Sequence, residues 1–189
     1  MRNTLDVAKY LLGKELVHII EKQITSGLIV EVEAYIGPGD SASHAYQGKR
    51  TPRTRIQYEI GGKAYVYQIY GLHYCFNVVT QKEDLPEVVL VRALQPLQGV
   101  EIMEKRRSFK NNNRFELTNG PGKLCQAMAI DKSCYGVDLC GSKLYIREAK
   151  VKIPKHIAVS KRINIEYARN AKNFPWRFYL KNNLYVSKP

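Results

Sequence analysis

The sequence predicts an α+β fold, an antiparallel β-sheet with a few flanking helices in one domain over residues 1–189. Three observations lead there. Many short segments alternate apolar and polar residues and end at glycine, proline or asparagine turns, the pattern of strands. Two of these segments, 64–69 and 74–80, flank a glycine-bearing connection, which marks a hairpin. Few stretches carry helix start and stop signals. The chain is 44% hydrophobic, enough for one core, and no repeat or low-complexity linker divides it.

In chain order, Asn3 to Leu12 reads as a short helix with Gly13 just past its end. Lys14 to Glu21 reads as a strand, Thr25-Ser26-Gly27 as a turn, and Leu28 to Tyr35 as a second strand. Along that strand Ile29, Glu31, Glu33 and Tyr35 are expected on one face and Leu28, Val30, Val32 and Ala34 on the other. Gly37 to Arg55 is a long loop ending in the basic run Lys49, Arg50, Arg53, Arg55. A turn at Gly61-Gly62 precedes the hairpin, in which Tyr70 to His73 is the connection. Val88 to Leu94 is an apolar strand, and Pro96 is expected to open a helix reaching about Arg107. A polar loop at Lys110 to Arg114 leads to a helix over Pro121 to Ile130. Strands are expected near Lys143 to Arg147, Arg162 to Ile165, and Trp176 to Leu180.

Charge narrows the function classes. Thirty Lys and Arg against seventeen Asp and Glu give a net charge of +13. That excess points to a polyanionic partner, nucleic acid first and an anionic membrane surface second. No segment is apolar enough to span a bilayer, and residues 1–13 lack the features of a secretory signal, so a cytosolic protein is expected. Cys75, Cys125, Cys134 and Cys140 show no zinc spacing and read as buried thiols.

Several side chains suggest chemistry. Glu33, at a strand end beside a loop, has the position of a general base, or of a solvated strand residue paired with a lysine. Glu31 lies one pleat away, a pairing found in glycosidases and on plain solvent-facing strands alike. Tyr70 at a glycine turn can project outward to stack on a base or wedge into a duplex. Asn119-Gly-Pro-Gly-Lys123 is not a nucleotide-triphosphate loop, but Lys123 at a helix start suits a DNA phosphate. Arg92, alone in an apolar strand, needs a carboxylate or phosphate partner.

Together these segments resemble the alkyladenine (methylpurine) DNA glycosylase family. The similarity rests on Glu31-Val-Glu-Ala-Tyr-Ile-Gly-Pro38 with Asp40 and His44, Thr51-Pro-Arg-Thr-Arg55, and Tyr65-Val-Tyr-Gln-Ile-Tyr-Gly71 with Cys75 and Asn77. It continues through Val91-Arg-Ala-Leu-Gln-Pro96, Gly120-Pro-Gly-Lys-Leu-Cys-Gln-Ala127 and Arg177-Phe-Tyr179, in family order over nearly the whole chain. The resemblance implies a curved antiparallel sheet like that of the C-terminal domain of formyltransferases. It implies a base-flipping enzyme that hydrolyses alkylated or deaminated purines from double-stranded DNA and leaves an abasic site. The implied substrates are 3-methyladenine, 7-methylguanine, hypoxanthine and ethenoadenine.

The resemblance also implies roles. Glu33 activates the water. Tyr35 forms one wall of the base pocket, and His44 with Tyr67 the other. Asn77 crowds the exocyclic amine of normal guanine, and Ile163 supplies a main-chain contact. Tyr70 is the wedge, and Arg92 holds the DNA backbone. Arg53, Lys123 and His73 belong to the DNA-binding surface. No lysine nucleophile, metal or organic cofactor is implied, and a monomer without strand cleavage is expected. Two positions depart from the family pattern: His73 stands where another aromatic is common, and Asn164 where glycine is expected. The competing readings are a non-catalytic nucleic-acid-binding module, which leaves Glu33 without a role, and a tRNA-binding domain on the same fold.

Overall fold

The computed structural model describes residues 2–110, 112–151 and 156–188; Met1 and residue 111 of the expected polar loop lie outside them. Helix α1 (Thr4–Leu11) starts at Asn3, whose side chain accepts the Leu5 amide at 2.8 Å, and Gly13 follows it at φ 76°. Strands β1 (Lys14–Ile20) and β2 (Gln23–Ile36) form a hairpin. Its turn is Glu21-Lys22, with Glu21 at φ 55°, rather than Thr25-Ser26-Gly27. Thr25 and Ser26 instead sit fully buried inside β2, opposite His18 and Val17. Tertiary burial overrides their turn preference. Gly27 is required for packing, because a Cβ there would lie 3.0 Å from the Gln95 carbonyl oxygen.

The second hairpin joins β3 (Ala64–Ile69) to β4 (His73–Val79), with Tyr70 (φ 51°) and Gly71 (φ 66°) in its turn. Strand β5 (Glu87–Gln98) pairs with both β4 and β2. Pro96 therefore does not open a helix. It lies in β5 opposite Gly27, beside a register shift, one of the irregular places where a strand accepts proline. Helix α2 (Val100–Arg106) begins only after Gly99, whose φ of 73° turns the chain. Helix α3 (Pro121–Met128) ends where Ala129 enters the left-handed region. The remaining strands are β6 (Leu144–Glu148), β7 (Ile157–Ser160) and β8 (Arg177–Leu180). The strand expected at Arg162 to Ile165 is absent; those residues form an irregular segment in which Arg162 is drawn into a buried ion pair with Asp40.

The sheet runs β3-β4-β5-β2-β1-β6 and is antiparallel at every pairing, with β8 added to β2 and β7 to β8. The fold class is thus α+β. Strand β2 is the hinge of this arrangement. Its first half pairs with β1 and residues Glu31 to Glu33 pair with β8. Opposed bulges shift the β2–β5 register on either side of Glu31.

Period-two alternation sorts the central strands. Val32 and Ala34, Ala64 and Val66, Phe76 and Val78, Val89 and Val91 enter the main core. Helices α1 and α3 cover that side, through Ala8, Leu11, Leu124 and Met128. Their chain neighbours Glu33, Tyr35, Tyr65, Tyr67, Cys75, Asn77, Val88 and Leu90 project the other way. That second face is closed by the loop after β2 and by the irregular segment before β8. Of the four cysteines, Cys75, Cys125 and Cys134 are buried; Cys140, expected inside, is exposed in a turn capped by Asp138.

Candidate active site

Between the sheet's second face and its covering loops lies a pocket of about 270 Å³. Tyr35, His44, Tyr67, Asn77, Arg92, Tyr70 and Ile163 all line it, so seven of the residues singled out in the sequence converge. Glu33 sits immediately behind the lining and is fully buried. Its Oε1 accepts the Ile163 amide at 2.7 Å and lies 3.4 Å from the Arg92 guanidinium. Its Oε2 accepts the Tyr35 hydroxyl at 2.8 Å. A carboxylate has about four acceptor sites, so Oε2 keeps one free for a further donor such as water.

Arg92 has carboxylates as partners. Its Nε donates to Glu31 at 2.9 Å, and Arg177 Nε donates to the same oxygen at 2.8 Å. Burial pushes the Glu31 carboxyl up, but Arg92, the Ser187 amide and Arg177 overcome it and hold it below the usual range. Two carboxylates and two guanidiniums thus share one buried cluster with no net charge. Burial first, then the Glu33 charge, keeps the Tyr35 phenol well above its ordinary pKa, so Tyr35 stays a neutral donor.

The aromatic part of the pocket is a packed group. The His44 and Tyr67 rings meet edge to face at 4.6 Å, and the Tyr65 hydroxyl lies 2.7 Å from His44 Nδ1. Burial, helped by the charges of Arg53 and Lys49, pushes His44 down to about 4. At neutral pH His44 is therefore an uncharged ring, able to face a cationic ligand without repulsion.

The depression has a consequence for stability. The unfolded chain protonates His44 near 6.5, the folded chain only near 4, so folding expels a proton between those values. Stability should fall as pH drops from about 6.5 to 4, by on the order of 2 kcal/mol from this residue. Buried His18 adds a loss of the same sign. Urea midpoints at pH 7 and 4.5 should show a smaller drop for His44→Gln than for the wild type; equal drops would contradict this account.

Of the residues expected to meet DNA, Tyr70 and Arg92 line the pocket, whereas Arg53, His73 and Lys123 are not part of its lining. Tyr70 is 90% exposed on the β3–β4 turn. His73, also exposed, packs its Cβ where Gly122 leaves room at the start of α3. Lys123 donates to Asn119 Oδ1 at 2.8 Å and approaches Glu116 at 3.6 Å. Exposed Arg53 stacks its guanidinium on the Tyr67 ring, 4.7 Å from the centroid. Asn164 is exposed at the pocket rim with φ 59°, a backbone state glycine favours and asparagine tolerates.

Three features were not legible from local pattern. Asp40 and Arg162 form a fully buried pair that fixes Ile163 beside Glu33. Tyr65, which reads as a strand filler, orients His44. Gln57 lines the pocket from the short 3₁₀ turn Arg55–Tyr58. Among the described residues, no group of three or more His, Cys, Asp or Glu side chains is arranged to hold a metal, and no helix is long and apolar enough to cross a membrane.

Residues 1–184 match the methylpurine-DNA glycosylase family. Similar proteins provisionally named 3-methyladenine DNA glycosylase occur in Desulfitobacterium hafniense (52% identical), Natranaerobius thermophilus (51%) and Clostridium acetobutylicum (50%). The alignments cover 98% of this chain in each case and 94%, 94% and 93% of the three relatives.

Proposed function

The chain belongs to the methylpurine-DNA glycosylase family, and on that premise we propose that it flips damaged purines out of duplex DNA into the pocket and hydrolyses them there, with Glu33 as the water-activating base. It is a monofunctional DNA glycosylase of alkylation repair. The finer reading concerns how its residues act and on which lesions.

The observation that carries this reading is the held carboxylate directly behind an aromatic pocket. The Tyr35 hydroxyl and the Ile163 amide fix both Glu33 oxygens, leaving one acceptor site on Oε2. A water placed there gives its proton to Glu33 as its oxygen attacks C1′ of the sugar. The glycosidic bond breaks, and its electron pair leaves with the base. The carboxylate also stabilises the positive charge that develops on the sugar. Tyr35, Tyr67 and neutral His44 offer ring surfaces to an electron-poor alkylated purine. Asn77 is anchored by donating to the Tyr65 carbonyl at 3.0 Å, which makes it a rigid filter against normal guanine. Tyr70 fills the place vacated in the stack. Arg53, Lys123 and His73 meet the DNA around the mouth, and Arg92 keeps the backbone beside the water. We propose double-stranded DNA as the substrate, 3-methyladenine, 7-methylguanine, hypoxanthine and ethenoadenine as the lesion class, and a monomer as the active form.

Methylated duplex DNA and duplexes with a single hypoxanthine or ethenoadenine provide the test. Base release should leave the strand intact until alkali is added. Release from none of them would end the reading, as would preferential binding of tRNA over hypoxanthine duplex. Tyr70→Ala should lower release from paired DNA about tenfold or more, since opening the stack costs a few kcal/mol. Release from single-stranded DNA should change far less. Equal losses on both would remove Tyr70 from the wedge role.

A further inference from the structure

We infer that Gln57 hydrogen-bonds the polar edge of the purine held in the pocket and sets which bases are accepted. This rests on the base-excision reading above.

Gln57 is 1% exposed and lines the pocket. Neither its Nε2 nor its Oε1 has a hydrogen-bond partner. Three other polar groups of the pocket wall are engaged by protein. The Tyr35 hydroxyl serves Glu33, Asn77 Nδ2 serves the Tyr65 carbonyl, and Arg92 serves Glu31. Burial pushes the Tyr65 phenol up to about 12, against a downward pull from Arg53 and from the neighbouring Gln57 amide, and the hydroxyl's own short contact is to His44 Nδ1 at 2.7 Å. Among the described residues, Gln57 is the one buried side chain lining this pocket whose donor and acceptor both lack a protein hydrogen bond of good geometry; its polar neighbour is the Tyr65 hydroxyl.

Backbone relaxation does not resolve this. The Gln57 amide donates to the Thr54 carbonyl at 2.9 Å, and the Ile56 amide donates to the Tyr135 hydroxyl at 3.2 Å. Tyr135 in turn donates to the Pro52 carbonyl at 3.1 Å, and both Thr54 Oγ1 and the Tyr58 hydroxyl donate to the Lys49 carbonyl. The turn is tied on both sides of Gln57. A buried carboxamide without a protein partner must be met by water or by a ligand. No protein group uses this donor–acceptor pair, so a base entering the pocket meets it available.

A carboxamide presents a donor and an acceptor side by side. Purine edges at C6 do the same. An adenine-type base donates from its amine and accepts at the adjacent ring nitrogen. Hypoxanthine accepts at its carbonyl and donates from N1–H. Half a turn of the amide serves either case. A purine with only hydrogen at C6 has no exocyclic group to offer, and a site built for a polar group discriminates against an analogue lacking it.

The test compares single-turnover release of hypoxanthine and of unsubstituted purine from otherwise identical duplexes by wild type and Gln57→Met. Hypoxanthine release should fall about tenfold, roughly the worth of one neutral hydrogen bond. Purine release should stay within about twofold, because no C6 partner is lost. Thermal melting of Gln57→Met should match or exceed the wild type, since no protein hydrogen bond of the Gln57 side chain is lost. Equal losses on both bases, no loss on hypoxanthine, or a lower melting temperature would each overturn the inference. Those outcomes with an active wild type leave the glycosylase reading intact; a wild type that releases no lesion sinks both.

Discussion

Glu33→Gln should release damaged bases about 10² to 10⁴-fold more slowly than the wild type, the usual contribution of a positioned general base. The substitution removes the base and leaves the buried cluster of Glu31, Arg92 and Arg177 with one excess positive charge, so some stability goes with it while both hydrogen bonds of the side chain can persist. The amide keeps an oxygen for the Ile163 N–H, now 2.7 Å from Oε1. Its new NH₂ faces the Tyr35 hydroxyl, which can rotate from donor to acceptor. Arg92 retains Glu31. The variant should therefore fold and bind a lesion duplex within a few-fold of the wild type, so the loss appears in the chemical step alone. Single-turnover kinetics with saturating enzyme separates the two. A variant retaining more than about a tenth of the wild-type rate would fall outside the general-base range and remove Glu33 from this role.

The largest loss of stability should come from Asp40→Asn. Asp40 and Arg162 are both wholly buried and meet through two hydrogen bonds of 2.5 and 2.8 Å. Asp40 also accepts the Ile36 and Ala42 amides, and Arg162 also donates to the Ala34 and Ala171 carbonyls. Neutralising the carboxylate leaves a guanidinium without a counter-charge in the interior, a change that costs about 3–5 kcal/mol. Urea denaturation should show it, and a loss below about 1 kcal/mol would put the pair in the class of solvent-exposed bridges. Activity should fall as well, because the next residue, Ile163, holds Glu33.

These two sites also show what a sequence reveals. The β3 strand was legible to the residue, since strict alternation and a Tyr70-Gly71 turn are local signals. The shared face of Glu33 and Tyr35 followed from strand period and is realised as a hydrogen bond. Thr25-Ser26-Gly27 and Pro96 misled for one reason. They face each other across β2 and β5, where close approach and an irregular register favour residues that elsewhere make turns and helix starts. The expected strand at Arg162 to Ile165 failed because its first residue is claimed by Asp40, 122 positions earlier. Gln57 had no local signal at all. Its importance lies in partners it does not have, which only the assembled pocket exposes.

The two halves of the Glu33 setting are unequally secured. Its backbone belongs to a central strand paired on both sides, while its Ile163 contact belongs to residues between β7 and β8 that carry little regular structure. What anchors that segment is not a ladder of strand hydrogen bonds but the buried pair of Arg162 with Asp40. Were that pair to part, the carboxylate would lose its Ile163 contact while its strand stayed paired. The alignment of the catalytic carboxylate thus hangs on a single distant contact, and bracing the segment around that pair is the place to add endurance without touching the core.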